Sequence, residues 1–230
     1  RAELADEVSL GIAKIACTVA PIVQGTPIDT RAEAANSIIG PLYRAFVTNP
    51  DLIGVVKLLK KPGPRATREI RAMEQCKHPN LTRLLAADTR DPAGWFVMAF
   101  HPHGDLEGHQ PDYRARPLAV LKKIRPVVDA LRALHAQKLV HRDIKPSNIL
   151  VGRNGDWILS DLGVVFDSEA ERVTVEQQTL ISKDWRADWI AAQRLDDYGP
   201  DVDIFGLAKV IYFMISGLKV PASQIDTEGC

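Results

Sequence analysis

The chain has 230 residues, 46% hydrophobic and 25% charged, a composition that suits a soluble globular protein with a sizeable buried core. Its 29 Lys plus Arg balance 29 Asp plus Glu, so overall charge offers no footprint for nucleic acid or an anionic membrane, and neither is expected as a partner. Cys17, Cys76 and Cys230 have neither zinc-site spacing nor disulfide-framework density, which excludes a disulfide-stapled scaffold and fits a reducing, cytoplasmic setting.

Residues 1–26 predict a helix, with Leu4, Val8, Ile12, Ile15 and Val19 near one face, ended by Pro21 and the Gln24-Gly-Thr-Pro27 stretch. The chain opens on Arg1 rather than Met and is expected to lack its own start. The apolar runs 10–23 and 204–218 are shorter than the roughly 20 residues a bilayer needs. They carry Lys14 and Lys209, so both are expected as buried helices and not as membrane spans. Residues 30–34 make a poor strand, whereas 52–59 make a good buried one that contains Lys57. A lysine in so apolar a run needs an anionic partner.

Residues 66–75 predict a helix ending near Lys77-His-Pro-Asn80, with Met73 turned inward. Strands follow at 81–87 and 94–100, joined by a polar loop. Residues 101–109 hold three of the six histidines, but their spacing does not set them on one face of an element, and no metal site is expected there. Residues 117–139 predict a long amphipathic helix, with Leu118, Leu121, Ile124, Val128, Leu131 and Leu134 along the apolar stripe and a kink at Pro126.

Chemistry concentrates in Leu139-Val-His-Arg-Asp-Ile-Lys-Pro-Ser-Asn-Ile-Leu-Val151 and in Asp161-Leu-Gly163. Here a loop dense in charge and amide groups leads into an apolar strand, Asn154-Gly155 supplies a strong hairpin signal, and residues 157–159 return. A turn centred between Asn154 and Gly155 would set Asn148 opposite Asp161, to within one residue of register. Two hard oxygen ligands at facing strand ends suit Mg²⁺, which takes one or two protein oxygens together with substrate phosphates. Asp143, a candidate base, and Lys145, a phosphate-binding cation, lie just before the hairpin.

This combination resembles the protein-kinase signature H-R-D-x-x-x-x-N followed by D-F-G, and Lys145 within His141-Arg-Asp-Ile-Lys-Pro-Ser-Asn148 resembles the serine/threonine branch. The resemblance implies an α+β, two-lobed fold: a small, mostly β N-lobe carrying one helix, and a mostly α C-lobe. It divides the chain into an N-terminal helical extension (1–27), an N-lobe (28–100) and a partial C-lobe (101–230) that is expected to be cut short soon after its late buried helix. It also implies ATP and Mg²⁺ as cofactors and a protein substrate bearing Ser or Thr.

Residue by residue, the resemblance assigns Asp143 to the substrate hydroxyl, Lys145 to the γ-phosphate, and Asn148 and Asp161 to the metal. Lys57, in Val-Val-Lys, corresponds to the ATP-phosphate lysine, and spacing from the His-Pro-Asn turn picks Glu69 as its helix partner. Met98 corresponds to the gatekeeper, and Ala99 and Phe100 to the hinge that reads adenine. Residues 35–45 stand at the glycine-rich loop. There only Gly40 keeps a glycine position, Ala35 and Ser37 replace the other two, and Leu42 replaces the valine over the base.

Residues 163–192 correspond to an activation segment carrying Ser168, Thr174, Thr179 and Ser182, with Arg142 as a cation for a phosphorylated residue. Ala191-Ala-Gln193 stands for A-P-E, and Asp203 for the anchoring aspartate of the late helix, which is expected over 203–217. A kinase-like scaffold that binds partners without phosphotransfer is the alternative. The weakened glycine loop and the missing acid at Gln193 favour it, and the retained charged positions favour the enzyme.

Overall fold

The computed structural model describes residues 39–46, 53–59, 64–88, 94–162, 166–167, 185 and 199–219. The predicted helix at 1–26, positions Ala35 and Ser37, and Ala191-Ala-Gln193 fall outside them, as does the segment expected over 163–192 apart from Phe166, Asp167 and Trp185. The fold is α+β and separates into two compact units, one of residues Arg1–Ile70 and Arg83–Phe100, the other of Arg71–Thr82 and His101–Cys230.

The first unit is built on an antiparallel sheet. Strands β1 (Ile39–Phe46), β2 (Ile53–Leu59), β3 (Leu84–Ala87) and β4 (Trp95–Ala99) lie in the order β1-β2-β4-β3. Strand β2 is central and buries the consecutive residues Val55, Val56 and Lys57, so both its faces are covered. Its β-branched residues suit that position. Lys57 is paired in register with Leu42 on one side and Phe96 on the other. Gly40 lies in β1 at an irregularity of register between Ile39 and Leu42, where a glycine accommodates a bulge readily.

Strand β3 begins at Leu84, not at Leu81 as the apolar run suggested. Leu81 is drawn off into a parallel bridge with Leu159, and Thr82 donates its N–H to the Leu159 carbonyl at 2.8 Å. Helix α1 (Pro64–Gln75) starts two residues earlier than predicted, with proline in its first turn, where a missing N–H costs nothing. Glu69, Ile70, Ala72 and Met73 are buried on it, as is Cys76 just after it, and desolvation raises the Cys76 thiol pKa above its ordinary value.

In the second unit, Asp105 caps helix α2 (Leu106–Tyr113) by accepting from the N–H groups of Glu107 and Gly108. Helix α3 (Pro117–Ala136) buries Val120, Ile124, Val127, Ala130, Leu131 and Leu134. The predicted stripe is therefore rotated: Leu118 and Leu121 are 81% and 51% exposed, and Val120 and Val127 take the inner positions. The helix also stops earlier than 139. Lys138 turns into the left-handed region at φ 60°, a stop no glycine announces, and β5 (Leu139–Val140) then pairs with β8 (Phe166–Asp167).

After a 3₁₀ turn (Pro146–Asn148), β6 (Ile149–Val151) and β7 (Trp157–Leu159) form the hairpin with Ile149 opposite Leu159. The Asn148–Asp161 pairing is thus off by one residue. The loop is the three residues Arg153, Asn154 and Gly155, closed by Gly152 N–H to the Asp156 carbonyl, with Gly155 at φ 75°. Asn148 therefore meets Ser160, whose N–H donates to its carbonyl at 2.9 Å. Helix α4 (Asp201–Ser216) ends at Gly217, whose φ of 77° supplies the left-handed cap. None of the described helices is long and apolar enough to cross a membrane.

Candidate active site

In the first unit the key feature is a buried ion pair. Lys57 Nζ and Glu69 Oε1 lie 2.7 Å apart, with side chains 5% and 3% exposed, and the ammonium also sits 5.3 Å from the centre of the Phe96 ring. Two charges buried this deeply are stable only as a pair. We expect Lys57→Met to lower stability by about 3–5 kcal/mol, because it strands the Glu69 carboxylate. Lys57→Met/Glu69→Leu should recover most of that loss in urea denaturation; equal losses would show that the carboxylate is stabilised by other groups.

Met98 and Ala99 close β4, and the Ala99 N–H donates to the Arg83 carbonyl at 2.9 Å, so the strand end is fixed by β3's approach. Phe100 follows it, partly exposed, as the last residue of this unit. Gly40 and Leu42 take their places in β1 as register positions only.

In the second unit the loop after β5 is held from beneath by α4. Asp203, fully buried, accepts three hydrogen bonds: from His141 N–H (2.9 Å) and His135 Nε2 (2.7 Å) at Oδ2, and from Arg142 N–H (2.7 Å) at Oδ1. Arg142 stands at φ 69° and Asp161 at φ 61°, both left-handed and costly for residues with a side chain. The Arg142 N–H bond to Asp203 helps hold the first of these. His141 Nε2 faces the Ser160 carbonyl at 3.0 Å and must donate, which leaves Nδ1 to accept the Asp143 N–H at 3.3 Å.

These constraints deliver Asp143, which is 4% exposed. Its Oδ2 accepts from Asn148 Nδ2 at 3.0 Å and pairs with Lys145 Nζ at 3.1 Å, while Oδ1 is buried with no hydrogen-bond partner among the described residues. A buried carboxylate oxygen so placed is primed to accept a proton-bearing ligand. Asn148 Nδ2 also donates to the Asp143 carbonyl at 2.8 Å, so both its hydrogens point into the loop and its amide oxygen is turned the other way. That oxygen and the Asp161 carboxylate, which follows β7 at φ 61°, are hard-oxygen groups of the chemical kind Mg²⁺ takes.

His135 and Ser160 were not singled out from sequence. A histidine in the last turn of a helix and a serine between an apolar strand and Asp161 carry no signal of their own. Nearby, burial pushes the His101 pKa below its ordinary value, which suits its 3.1 Å contact with the Thr82 hydroxyl. The His109 pKa is raised, first by its hydrogen bond to the His103 carbonyl and then by Asp112.

A family model described as "Protein kinase domain" matches residues 43–229. Among curated proteins, the chain is similar to serine/threonine-protein kinase pak-2 of Caenorhabditis elegans, 26% identical over 80% of this chain and 35% of the relative. It is 27% identical to serine/threonine-protein kinase STE20 of Saccharomyces cerevisiae, over 77% of this chain and 19% of that protein. With serine/threonine-protein kinase pak-1 of C. elegans it shares 29% identity over 77% of this chain and 31% of the relative. The chain thus spans a third or less of the length of most of these relatives.

Proposed function

The chain belongs to the protein kinase domain family, and from that premise we propose that it is an ATP-dependent serine/threonine kinase that transfers the γ-phosphoryl group to a protein hydroxyl. The observation that carries the reading is the Asp143 carboxylate, with one oxygen held by Asn148 and Lys145 and the other buried with no hydrogen-bond partner among the described residues.

Asp143 Oδ1 receives or orients the proton of the attacking hydroxyl, which becomes the new ester oxygen as the bond from the γ-phosphorus to the bridging oxygen of ADP breaks. Lys145, beside that carboxylate, steadies charge on the transferred group. Lys57, fixed by Glu69, takes the α- and β-phosphates, and Met98, Ala99 and Phe100 take the adenine end, covered by Gly40 and Leu42. Asn148 and Asp161 would hold Mg²⁺, which neutralises phosphate charge when bound. Little covalent chemistry is asked of the protein: positioning and electrostatics carry the step. By the same reading residues 28–100 and 101–230 are the two lobes, and 1–27 an extension.

A scaffold that transfers nothing is favoured by the replacement of two loop glycines by Ala35 and Ser37 and by Gln193 at the position of the A-P-E acid. Thermal unfolding with ATP, with and without Mg²⁺, separates the two readings. At a hundredfold excess over Kd the nucleotide adds about 2.7 kcal/mol, or roughly 5–10 °C for a chain of this size. A magnesium-dependent rise of that order is the expected result, and a folded protein with no shift would favour the scaffold.

A further inference from the structure

We propose that the exposed stripe of α3 is a docking surface for an acidic, leucine-bearing peptide segment of a partner protein. Leu118, Leu121, Lys122 and Arg125 recur at three- and four-residue spacing and so share one face of the helix, the face opposite its buried residues. Leu118 is 81% and Leu121 51% exposed, in a helix whose other large aliphatic side chains are buried or half-buried. Singly exposed leucines are ordinary, but two adjacent ones flanked by cations form a patch of defined chemistry.

Charge complementarity identifies the occupant. Lys122 and Arg125 on the stripe, and exposed Arg114 just before the helix, have no carboxylate partner among the described residues. Farther along the same face the pattern changes, because Arg132 lies 3.9 Å from Asp129 and is already paired. The unbalanced positive charge is therefore confined to the half of the helix that carries the leucines. It is a local property, since the whole chain has no net charge.

An acidic segment with two apolar side chains a helical turn apart would satisfy both features at once. The observations favour a peptide over the two other anionic macromolecules. A membrane surface would need a broader apolar face than two leucines to hold an amphipathic helix in place. Single-stranded nucleic acid would call for aromatic platforms, and the stripe has none.

The test uses the 230-residue chain and a fluorescein-labelled peptide, Glu-Glu-Leu-Asp-Glu-Leu-Glu-Asp, followed by anisotropy. Binding that weakens with salt, and that falls roughly tenfold or more in Arg125→Glu and in Leu121→Asp, is expected. Both positions are exposed, so far-UV circular dichroism should be unchanged in each variant. A peptide with alanines for leucines that binds equally well would reduce the patch to an ion exchanger and overturn the proposal. So would unaltered binding by the two variants. Capture of phosphatidylserine vesicles or of an oligonucleotide, sensitive to the same substitutions and without peptide binding, would reassign the surface and likewise overturn it.

Discussion

Asp143→Asn should lower phosphotransfer by roughly 10²–10⁴-fold while leaving the magnesium-dependent ATP stabilisation nearly unchanged. The expectation rests on the asymmetry of the carboxylate. Oδ2 is engaged by Asn148 and Lys145, and an asparagine oxygen in the same place still accepts from them. Among the described residues Oδ1 has no hydrogen-bond partner, so turning that end into an amide removes no hydrogen bond among them. What is lost is a buried carboxylate acceptor able to take a hydroxyl proton, and the amide presents hydrogens in its place. Single-turnover transfer to a generic Ser-containing substrate and thermal unfolding, run on the same preparations, separate the outcomes. Full activity in the variant would place the base elsewhere. Joint loss of activity and nucleotide stabilisation would make Asp143 a structural residue.

The parts of this fold that sequence reveals are those where one local pattern dominates. The run Ile-Gly-Val-Val-Lys-Leu-Leu can be little but a buried strand, and its lysine has to find an acid. Strand β3 was harder to place, because Leu81 is as apolar as Leu84 and only its bridge to Leu159, far along the chain, removes it from the strand. The face of α3 is only partly legible for a related reason: Ile124, Leu131 and Leu134 are buried as the pattern suggests, and Leu118 and Leu121 are not. Leucines and valines alternate around that helix, so hydrophobicity alone allows two stripes, and packing chooses Val120 and Val127 over Leu118 and Leu121. The hairpin register turned on one residue. Asn-Gly suggests a two-residue turn, but the glycine here serves as the left-handed third residue of a longer loop. In the site, charged positions fall in a recognisable spacing, whereas His135 and Ser160 act through bonds made only when distant segments meet.

The largest stability loss should come from Asp203→Ala. This carboxylate accepts from three donors on two segments, the His141 and Arg142 N–H groups and His135 Nε2. Removing it leaves all three facing a cavity, and at roughly 1–3 kcal/mol for each orphaned donor the cost reaches about 3–9 kcal/mol. That is comparable to the whole stability of a typical domain, about 5–15 kcal/mol, so the variant should unfold many degrees lower or fail to fold. Asp203→Asn is the graded test. Its amide oxygen can replace Oδ2 and keep His135 and His141, but its NH₂ then meets the Arg142 N–H, donor against donor. The loss should be only about 1–3 kcal/mol, and it falls on the residue held at φ 69° immediately before Asp143. His135→Gln, which disturbs the same carboxylate from the other side, should cost similar stability with less effect on turnover. If Asp203→Asn and His135→Gln lower activity equally, the aspartate supports the unit as a whole; a selective loss in Asp203→Asn ties it to the backbone that aims Asp143.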